Sequence, residues 1–236
     1  NDVSGNYNGT ASNVTYVKSG YTGRNNDGTV ESQVSANQDA GFSIVKFTAN
    51  STTPTVGHGL TNSIPDLIIV KATSFSDSWF VNSSFLTNRT DKALRFNQNS
   101  AEETNSGFWN NIAPTSTTFS LGNGIAVSGS SYIAYCWHSV DKYSKIGSYV
   151  GNNSSNPIDV GFEPAWVMAK GTDSSSWLIM DSTRGANEQL YANSSDGQYT
   201  DSGNSFSATG FTMKSNGNWN ASGVTYIYMA FAVPLT

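Results

Sequence analysis

The chain has 236 residues and a formal charge of -5 at pH 7, and only 12% of its residues are charged. Globular proteins usually have about 25% charged residues, whereas polarity here comes from Asn, Ser, Thr and Gly. The acidic balance and the lack of any Lys/Arg cluster argue against a nucleic-acid partner, which requires a basic face. An aromatic content of 12% also excludes a typical disordered composition.

No apolar run approaches the roughly 18 residues of a membrane helix, so we expect no membrane insertion. Cys136 is the single cysteine of the chain, which excludes an internal disulfide. It lies in an alternating apolar run, as expected for a small buried residue. The chain opens on Asn1 rather than methionine, so we expect a fragment of a longer protein or a processed form.

Residues 1–40 are rich in Gly, Asn, Ser and Asp. Only the Val-Thr-Tyr-Val run at 14–17 has a strand-like pattern, and the Gly-Arg-Asn-Asn-Asp-Gly run at 23–28 carries strong turn signals. We therefore expect a loop-rich leader, either a linker or an arm that packs on something outside this sequence.

After the leader the chain repeats itself. Tyr-Ile-Ala-Tyr-Cys-Trp at 132–137 reappears as Tyr-Ile-Tyr-Met-Ala-Phe at 226–231, and a Ser-Gly pair precedes each copy. Further matches in the same order are 65–71 with 164–170, Ser78-Trp79 with Ser176-Trp177, and Asn99-Ser100 with Asn193-Ser194. An internal duplication explains this order. It predicts unit one at about 41–140 and unit two at about 141–236.

Strand signals recur within each unit, and no window shows a helical apolar stripe. In unit one the predicted strands lie at about 43–49, 65–72, 78–82, 93–98, 117–122 and 131–138. In unit two they lie at about 144–150, 164–170, 176–181, 188–193, 207–213 and 224–232. About six short, turn-bounded strands per unit predict two similar antiparallel β-sandwich units in an all-β protein. The last strand alternates cleanly, which predicts that only one of its faces is buried.

The reactive side chains are few and are not shared between the units. His58 and His138, together with Cys136, would be the ligands of a metal site, but a zinc site requires three or four ligands. Unit two has Phe231 and Ala232 in place of the Trp-His pair that ends this strand in unit one. We therefore expect no metal and no cofactor.

No Gly-x-Ser-x-Gly motif is present, and the acidic positions mostly differ between the units. We therefore expect no catalytic residues and no enzymatic activity. Trp79 and Trp177 do repeat, and they are best explained as equivalent core residues, one in each unit.

Two lysines also repeat, Lys71 and Lys170, each at the end of an apolar strand. Such a lysine can extend its ammonium group to the solvent past an apolar stem. Alternatively, it can form an ion pair with a nearby acid such as Asp77 or Asp173. Neither alternative implies catalysis.

Aromatic residues outside the matched strands are the candidate ligand contacts. Phe108 and Trp109 lie in a Ser-Gly-Phe-Trp-Asn-Asn segment, and Trp219 lies between two asparagines. Aromatic rings beside Asn and Ser suit sugar binding, through ring stacking and side-chain hydrogen bonds. The alternative is that these rings fold back onto their own sandwich.

Several motifs together resemble a known family. In unit two they are Lys-Ile-Gly-Ser-Tyr-Val-Gly-Asn at 145–152, Gly-Phe-Glu-Pro-Ala-Trp-Val-Met at 161–168, and the segments 181–185, 191–195 and 220–232. In unit one they are the segments 41–45, 58–60 and 113–119. This pattern resembles a repeat domain of the structural proteins of tailed bacteriophages, marine and cyanobacterial phages especially. The resemblance covers about 41–236.

The resemblance implies a role in a tail fibre, in a head fibre or in capsid decoration, and it supplies no catalytic residues. We therefore expect a non-enzymatic protein of the virion surface that contacts other virion proteins and contributes to attachment to host-surface polysaccharide. A homo-oligomer is expected, with a trimer favoured. Two alternatives are a depolymerase that cleaves the host coat with a pair of carboxylates, and a purely architectural capsid cement protein.

Overall fold

The computed structural model describes residues 23–61, 63–215 and 217–233. Every regular secondary-structure element in these ranges is a β-strand, so the predicted all-β class is confirmed. No helix in the described part of the chain has the length and apolar character needed to cross a membrane. The strand-like run at 14–17 lies outside the described residues.

The first part of the chain forms ten strands. They are β1 (Gly23–Asn25), β2 (Ser32–Asn37), β3 (Phe42–Thr48), β4 (Thr55–Gly57), β5 (Leu67–Ala72), β6 (Trp79–Ser83), β7 (Lys92–Arg95), β8 (Glu103–Thr104), β9 (Thr118–Ser120) and β10 (Ser131–Trp137). Eight of them form one antiparallel sheet in the order β1-β2-β3-β10-β5-β6-β7-β8, and β4 pairs with β9 in a small second sheet. The six strands predicted for unit one all exist, within a few residues of their expected ends.

The second part forms nine strands. They are β11 (Ser144–Val150), β12 (Asn156–Asp159), β13 (Pro164–Gly171), β14 (Leu178–Asp181), β15 (Gly185–Tyr191), β16 (Tyr199–Thr200), β17 (Ser205–Ser207), β18 (Gly210–Met213) and β19 (Thr225–Ala232). One sheet has the order β11-β19-β13-β14-β15-β16, and β12, β18 and β17 form a three-stranded sheet. The single strand expected at 207–213 is a hairpin of two strands.

The two large sheets share one strand order. In spatial order across the sheets, β3-β10-β5-β6-β7-β8 corresponds position by position to β11-β19-β13-β14-β15-β16. The small sheets also correspond, since β4 pairs with β9 where β12 pairs with β18. This agreement is what a duplication would produce, although the duplication itself stays a prediction.

Three apolar cores hold the sheets together. The first, around Phe47, Phe119 and Tyr132, lies between the eight-stranded sheet and its small sheet. The second, around Phe211 and Tyr226, lies between the six-stranded sheet and its small sheet. The third contains residues of both large sheets, which pack face to face. Each unit is thus sandwich-like, and the third core joins the units.

Because of the third core, the central strands β5, β13 and β19 are buried on both faces. Along β19, Tyr226, Tyr228 and Ala230 enter the second core, whereas Ile227 and Met229 enter the third. The two directions match the alternation in the sequence. The expectation of a half-buried strand is wrong, because one face packs on the small sheet and the other face packs on the other large sheet.

The described part of residues 1–40 is not a free leader. Strand β2 pairs with β3 along its whole length, and Val34 belongs to the first core. Ser32 is fully buried, and its hydroxyl donates to the Gly57 carbonyl at 2.8 Å. The expectation of a linker is corrected for residues 23–40, since a polar strand can be buried when its hydroxyls find acceptors.

The repeated tryptophans are not equally buried. Trp177 is 2% exposed, its ring lies edge-on to Phe96 at 5.2 Å, and its indole N–H donates to the Arg95 carbonyl at 2.9 Å. Trp177 of unit two is therefore anchored on unit one. Trp79 is half-buried, so only Trp177 is a fully buried core residue.

The matched pair Trp177→Ala and Trp79→Ala measures the contribution of this anchor. We expect Trp177→Ala to lower the free energy of unfolding by about 3–5 kcal/mol, because it leaves a cavity and an unpaired carbonyl. Trp79→Ala should cost clearly less, because its ring is only partly buried and so loses less buried area. Urea denaturation measures both values, and equal losses would contradict the assignment.

Candidate functional site

Two concave surfaces lie between the units. The first is an apolar groove of about 370 Å³ between the large sheets, lined by Trp79, Trp137 and Trp166 and by further aromatic, Ile and Met side chains. Among the described residues, no Asn, Gln, Ser, Thr or charged side chain lines this groove. Ligand sites usually combine apolar walls with a few polar groups that fix orientation, and this groove lacks them.

The second surface, which we call the composite cleft, consists of two adjoining depressions of about 540 Å³ and about 350 Å³. Its walls come from segments 97–100, 173–176, 191–196 and 218–219, and both depressions share Ser176 and Tyr191. The lining side chains are Asn, Gln, Ser, Asp, Tyr and Trp. The composite cleft therefore combines aromatic rings with many hydrogen-bonding groups.

Both units build the composite cleft, and two direct bonds fix its walls. Segment 97–100 belongs to unit one, and the other three segments belong to unit two. The Glu102 N–H of unit one donates to the Thr172 carbonyl of unit two at 2.8 Å. The Trp177 indole N–H of unit two donates to the Arg95 carbonyl of unit one. The cleft therefore depends on the packing of the units against each other.

Two asparagines hold equivalent loops of the cleft. The Asn97 side-chain oxygen accepts the Trp79 backbone N–H at 3.0 Å, and that of Asn193 accepts the Trp177 backbone N–H at 2.7 Å. The structure thus pairs Asn97 with Asn193, whereas the sequence comparison pairs Asn99 with Asn193. The two-residue difference arises because hydrogen bonding to the tryptophan, and not the Asn-Ser dipeptide, defines the equivalent position.

The aromatic part of the cleft is a pair of rings. Tyr191 is partly buried against the second core, and its ring centroid lies 5.3 Å from that of Trp219. The Trp219 indole N–H donates to the Ser176 carbonyl at 3.2 Å. Burial raises the pKa of Tyr191, and Tyr199 adds to this effect, so its hydroxyl is neutral at pH 7 and can both donate and accept.

A family model described as a domain of unknown function, DUF7483, matches residues 2–234. The chain belongs to this family. A single match therefore spans both units and most of residues 1–40. No curated protein and no solved structure matches the chain. The family description names no activity, so the chemistry of the cleft carries the functional argument.

The three aromatic residues proposed from sequence as ligand contacts are buried. Phe108 is 3%, Trp109 is 1% and Trp219 is 3% exposed. The Trp109 indole N–H donates to the Lys92 carbonyl at 2.8 Å, and Phe108 packs on Phe80 at 5.6 Å. The expectation of exposed stacking rings is therefore corrected. Phe108 and Trp109 fold back onto their own unit, and only Trp219 borders the cleft.

Tyr191 is the aromatic residue that sequence reasoning missed. It lies at the end of β15, at the start of segment 191–195, which is one of the motifs that carry the family resemblance. The run that follows it, Ala-Asn-Ser-Ser-Asp, has the same polar character as the segments around the buried tryptophans. Polar residues beside an aromatic ring indicate a candidate ligand contact, but they do not distinguish an exposed ring from a buried one.

The repeated lysines bind backbone carbonyls. The Lys170 ammonium donates to the Gly171 and Asp173 carbonyls at 2.6 and 2.7 Å, and Lys71 donates to the Asp77 carbonyl. The lysines thus contact the acids named from sequence, but through main-chain oxygens instead of carboxylates. Lys170 is fully buried and does not extend to the solvent. It holds the loop that forms one wall of the cleft.

The candidate metal ligands have structural roles. His58 is fully buried, accepts the Leu60 N–H at 3.1 Å through Nδ1 and bonds to the Thr115 carbonyl at 3.2 Å through Nε2. Burial raises the pKa of Cys136 to about 12. Among the described residues, no group of three or more His, Cys, Asp or Glu side chains is placed to hold a metal ion.

Lys170 makes stability depend on pH. Burial lowers the pKa of Lys170 to about 8, against the attraction of Asp173. Between this value and its ordinary 10.5, the unfolded chain keeps a proton that the folded chain has lost. The free energy of unfolding should therefore rise with pH across this window, by about 3 kcal/mol in full.

The variant Lys170→Met keeps most of the stem volume and removes the charge, so it should lack this rise. Urea denaturation of both proteins between pH 7.5 and 10 tests the expectation. The buried Cys136 thiol opposes the rise above about pH 9, but equally in both proteins. Parallel stability profiles for wild type and variant would contradict the assignment to Lys170.

Proposed function

We propose that the chain is a non-enzymatic structural protein of the surface of a tailed-phage virion, and that it attaches the particle to host-surface glycans through the composite cleft. The observation that carries the glycan role is the partly exposed Tyr191 ring, which is backed by buried Trp219 and surrounded by amide and hydroxyl groups. The virion role rests on the sequence resemblance over 41–236.

Sugars need both kinds of group that the cleft offers. One face of a sugar ring carries C–H groups that pack on an aromatic ring. Its hydroxyls donate and accept hydrogen bonds, which Asn and Ser side chains can match in both directions. Segment 97–100 contributes three exposed amide side chains, Asn97, Gln98 and Asn99. The cleft volume is also in the range of known ligand sites, about 300–1,000 Å³.

The polar, open character of the cleft suits weak binding at each site. Solvated amide and hydroxyl groups exchange hydrogen bonds with water for bonds with sugar, so their net contribution is modest. A surface polysaccharide presents the same sugar many times, and an oligomer presents the cleft many times. Linking the sites then raises the overall affinity without any new contact. Weak attachment through this cleft would therefore be strengthened in a trimer, which presents three clefts to one polysaccharide.

The matched pair Tyr191→Ala and Tyr143→Ala tests the glycan role. Tyr143 is an exposed tyrosine outside the cleft. We expect Tyr191→Ala to weaken binding by about tenfold or more, because the stacking surface is lost. Tyr143→Ala should bind as wild type does. Binding of the labelled proteins to a glycan array, followed by titration of the bound glycans, provides the measurement.

Two results would contradict the proposal. One is the absence of binding to any glycan on an array of bacterial polysaccharides. The other is unchanged binding by Tyr191→Ala, which would exclude the composite cleft as the site. New reducing ends after incubation with a bound polysaccharide would instead favour the depolymerase alternative.

The expected trimer gives a separate prediction. A chain of 25.2 kDa should have about three times this mass in solution. Light scattering coupled to gel filtration measures the mass over a range of loading concentrations. A monomer mass at every concentration would contradict the trimer without affecting the glycan proposal.

A further inference from the structure

We propose that the composite cleft selects neutral sugars and rejects sugars that carry a carboxylate, such as uronic and sialic acids. This inference rests on the proposed glycan role and assigns a substrate class to the same site. Two carboxylates, Asp173 and Asp196, lie among the lining residues. No Lys or Arg of the described residues lines either depression.

Neither carboxylate forms a salt bridge with a described residue, although the buried Lys170 ammonium, which donates to the Asp173 main-chain carbonyl, attracts the Asp173 carboxylate from behind the wall. The Asp196 carboxylate accepts the Ser194 hydroxyl at 2.6 Å, which is a neutral donor. The Oδ1 atom of Asp173 is buried and has no hydrogen-bond partner in the described structure. That atom lies beside Gly171, so the carboxylate that ligand hydroxyls can reach most readily is that of the exposed Asp196. Hydroxyls of a neutral sugar can donate hydrogen bonds to such a carboxylate.

The lysine and arginine side chains of the neighbouring segments bind other groups of the protein. Lys170 is fully buried and donates to two main-chain carbonyls behind the wall. Lys214 pairs with Asp201, and Arg95 pairs with Glu103 at 2.9 Å. Arg184 pairs with Asp181 at 2.6 Å. A carboxylate on the ligand would therefore meet the like charges of Asp173 and Asp196, and no accessible cation among the described lining residues would replace its lost water.

This arrangement penalises acidic sugars by two physical effects. Like charges a few ångströms apart repel each other, and the repulsion grows in a cleft partly shielded from water. A carboxylate that leaves water without a partner also loses its hydration. Specificity often arises from such unfavourable contacts with the wrong ligand. Neutral sugars avoid both effects.

Matched glycan pairs on one array provide the test. The probes are oligogalacturonates as free acids and as methyl esters, lactosamine chains with and without sialic acid, and a set of neutral oligosaccharides. We expect the bound glycans to be neutral, and the acidic form of any bound backbone to bind at least about fivefold more weakly at 0.01 M salt. The difference should shrink at 1 M salt, where the screening length is about 3 Å.

Charge variants assign the effect to the cleft. The double variant Asp173→Asn/Asp196→Asn should bring acidic forms to within about twofold of neutral forms. The control Asp39→Asn/Asp141→Asn removes the same charge from exposed positions outside the cleft, and it should keep the discrimination. The single variant Asp196→Asn, at an exposed position, should relax it in part, and thermal melts establish that each variant is folded.

The outcomes separate the two proposals. If no glycan binds, the glycan role fails and the selectivity fails with it. If acidic and neutral forms bind equally, or if neither folded Asp variant changes the ratio, the inference is overturned while the glycan role stands. Equal loss of discrimination in the control double variant would also overturn it, because the effect would then come from the net charge of the protein.

Discussion

The face-to-face packing of the two large sheets is the interaction on which the rest of the structure depends. It buries the second face of β5, β13 and β19 and creates the third apolar core. Trp177 occupies this core and donates its indole N–H to the other unit. Without this contact each unit would expose an apolar sheet face, and a sheet face of that kind is buried in stable proteins.

The same packing makes the candidate site. Segment 97–100 follows β7 of one large sheet, and segment 173–176 follows β13 of the other. They form a single cleft because the sheets that carry them are in contact. The backbone bond from Glu102 to Thr172 then holds the two walls together. The packing of the units therefore positions the walls of the cleft, and polar groups placed in advance suit ligand recognition.

Equivalent positions in the two units have different surroundings. Strand β3 carries β2 along its outer edge, whereas the equivalent strand β11 is the edge of its sheet. There the Ser139 hydroxyl satisfies the Ile146 N–H at 3.0 Å, and Val140 bonds to Ser144. An edge blocked in this way is less prone to pair with another chain. The two large sheets thus share a strand order, but β3 is an internal strand whereas β11 is an edge strand.

The sequence by itself determined the fold class, most strand positions and the similar succession of strands along the two units, because alternation and turn residues are local signals. It also determined the two opposite faces of the last strand. Only the tertiary structure decided that both faces are buried, that β2 completes the large sheet, and that Trp109 is buried while Tyr191 lines a cleft. The physical reason is that exposure depends on which distant segment covers a residue, and polar loops around Trp109 and Tyr191 look alike until their sheets are packed.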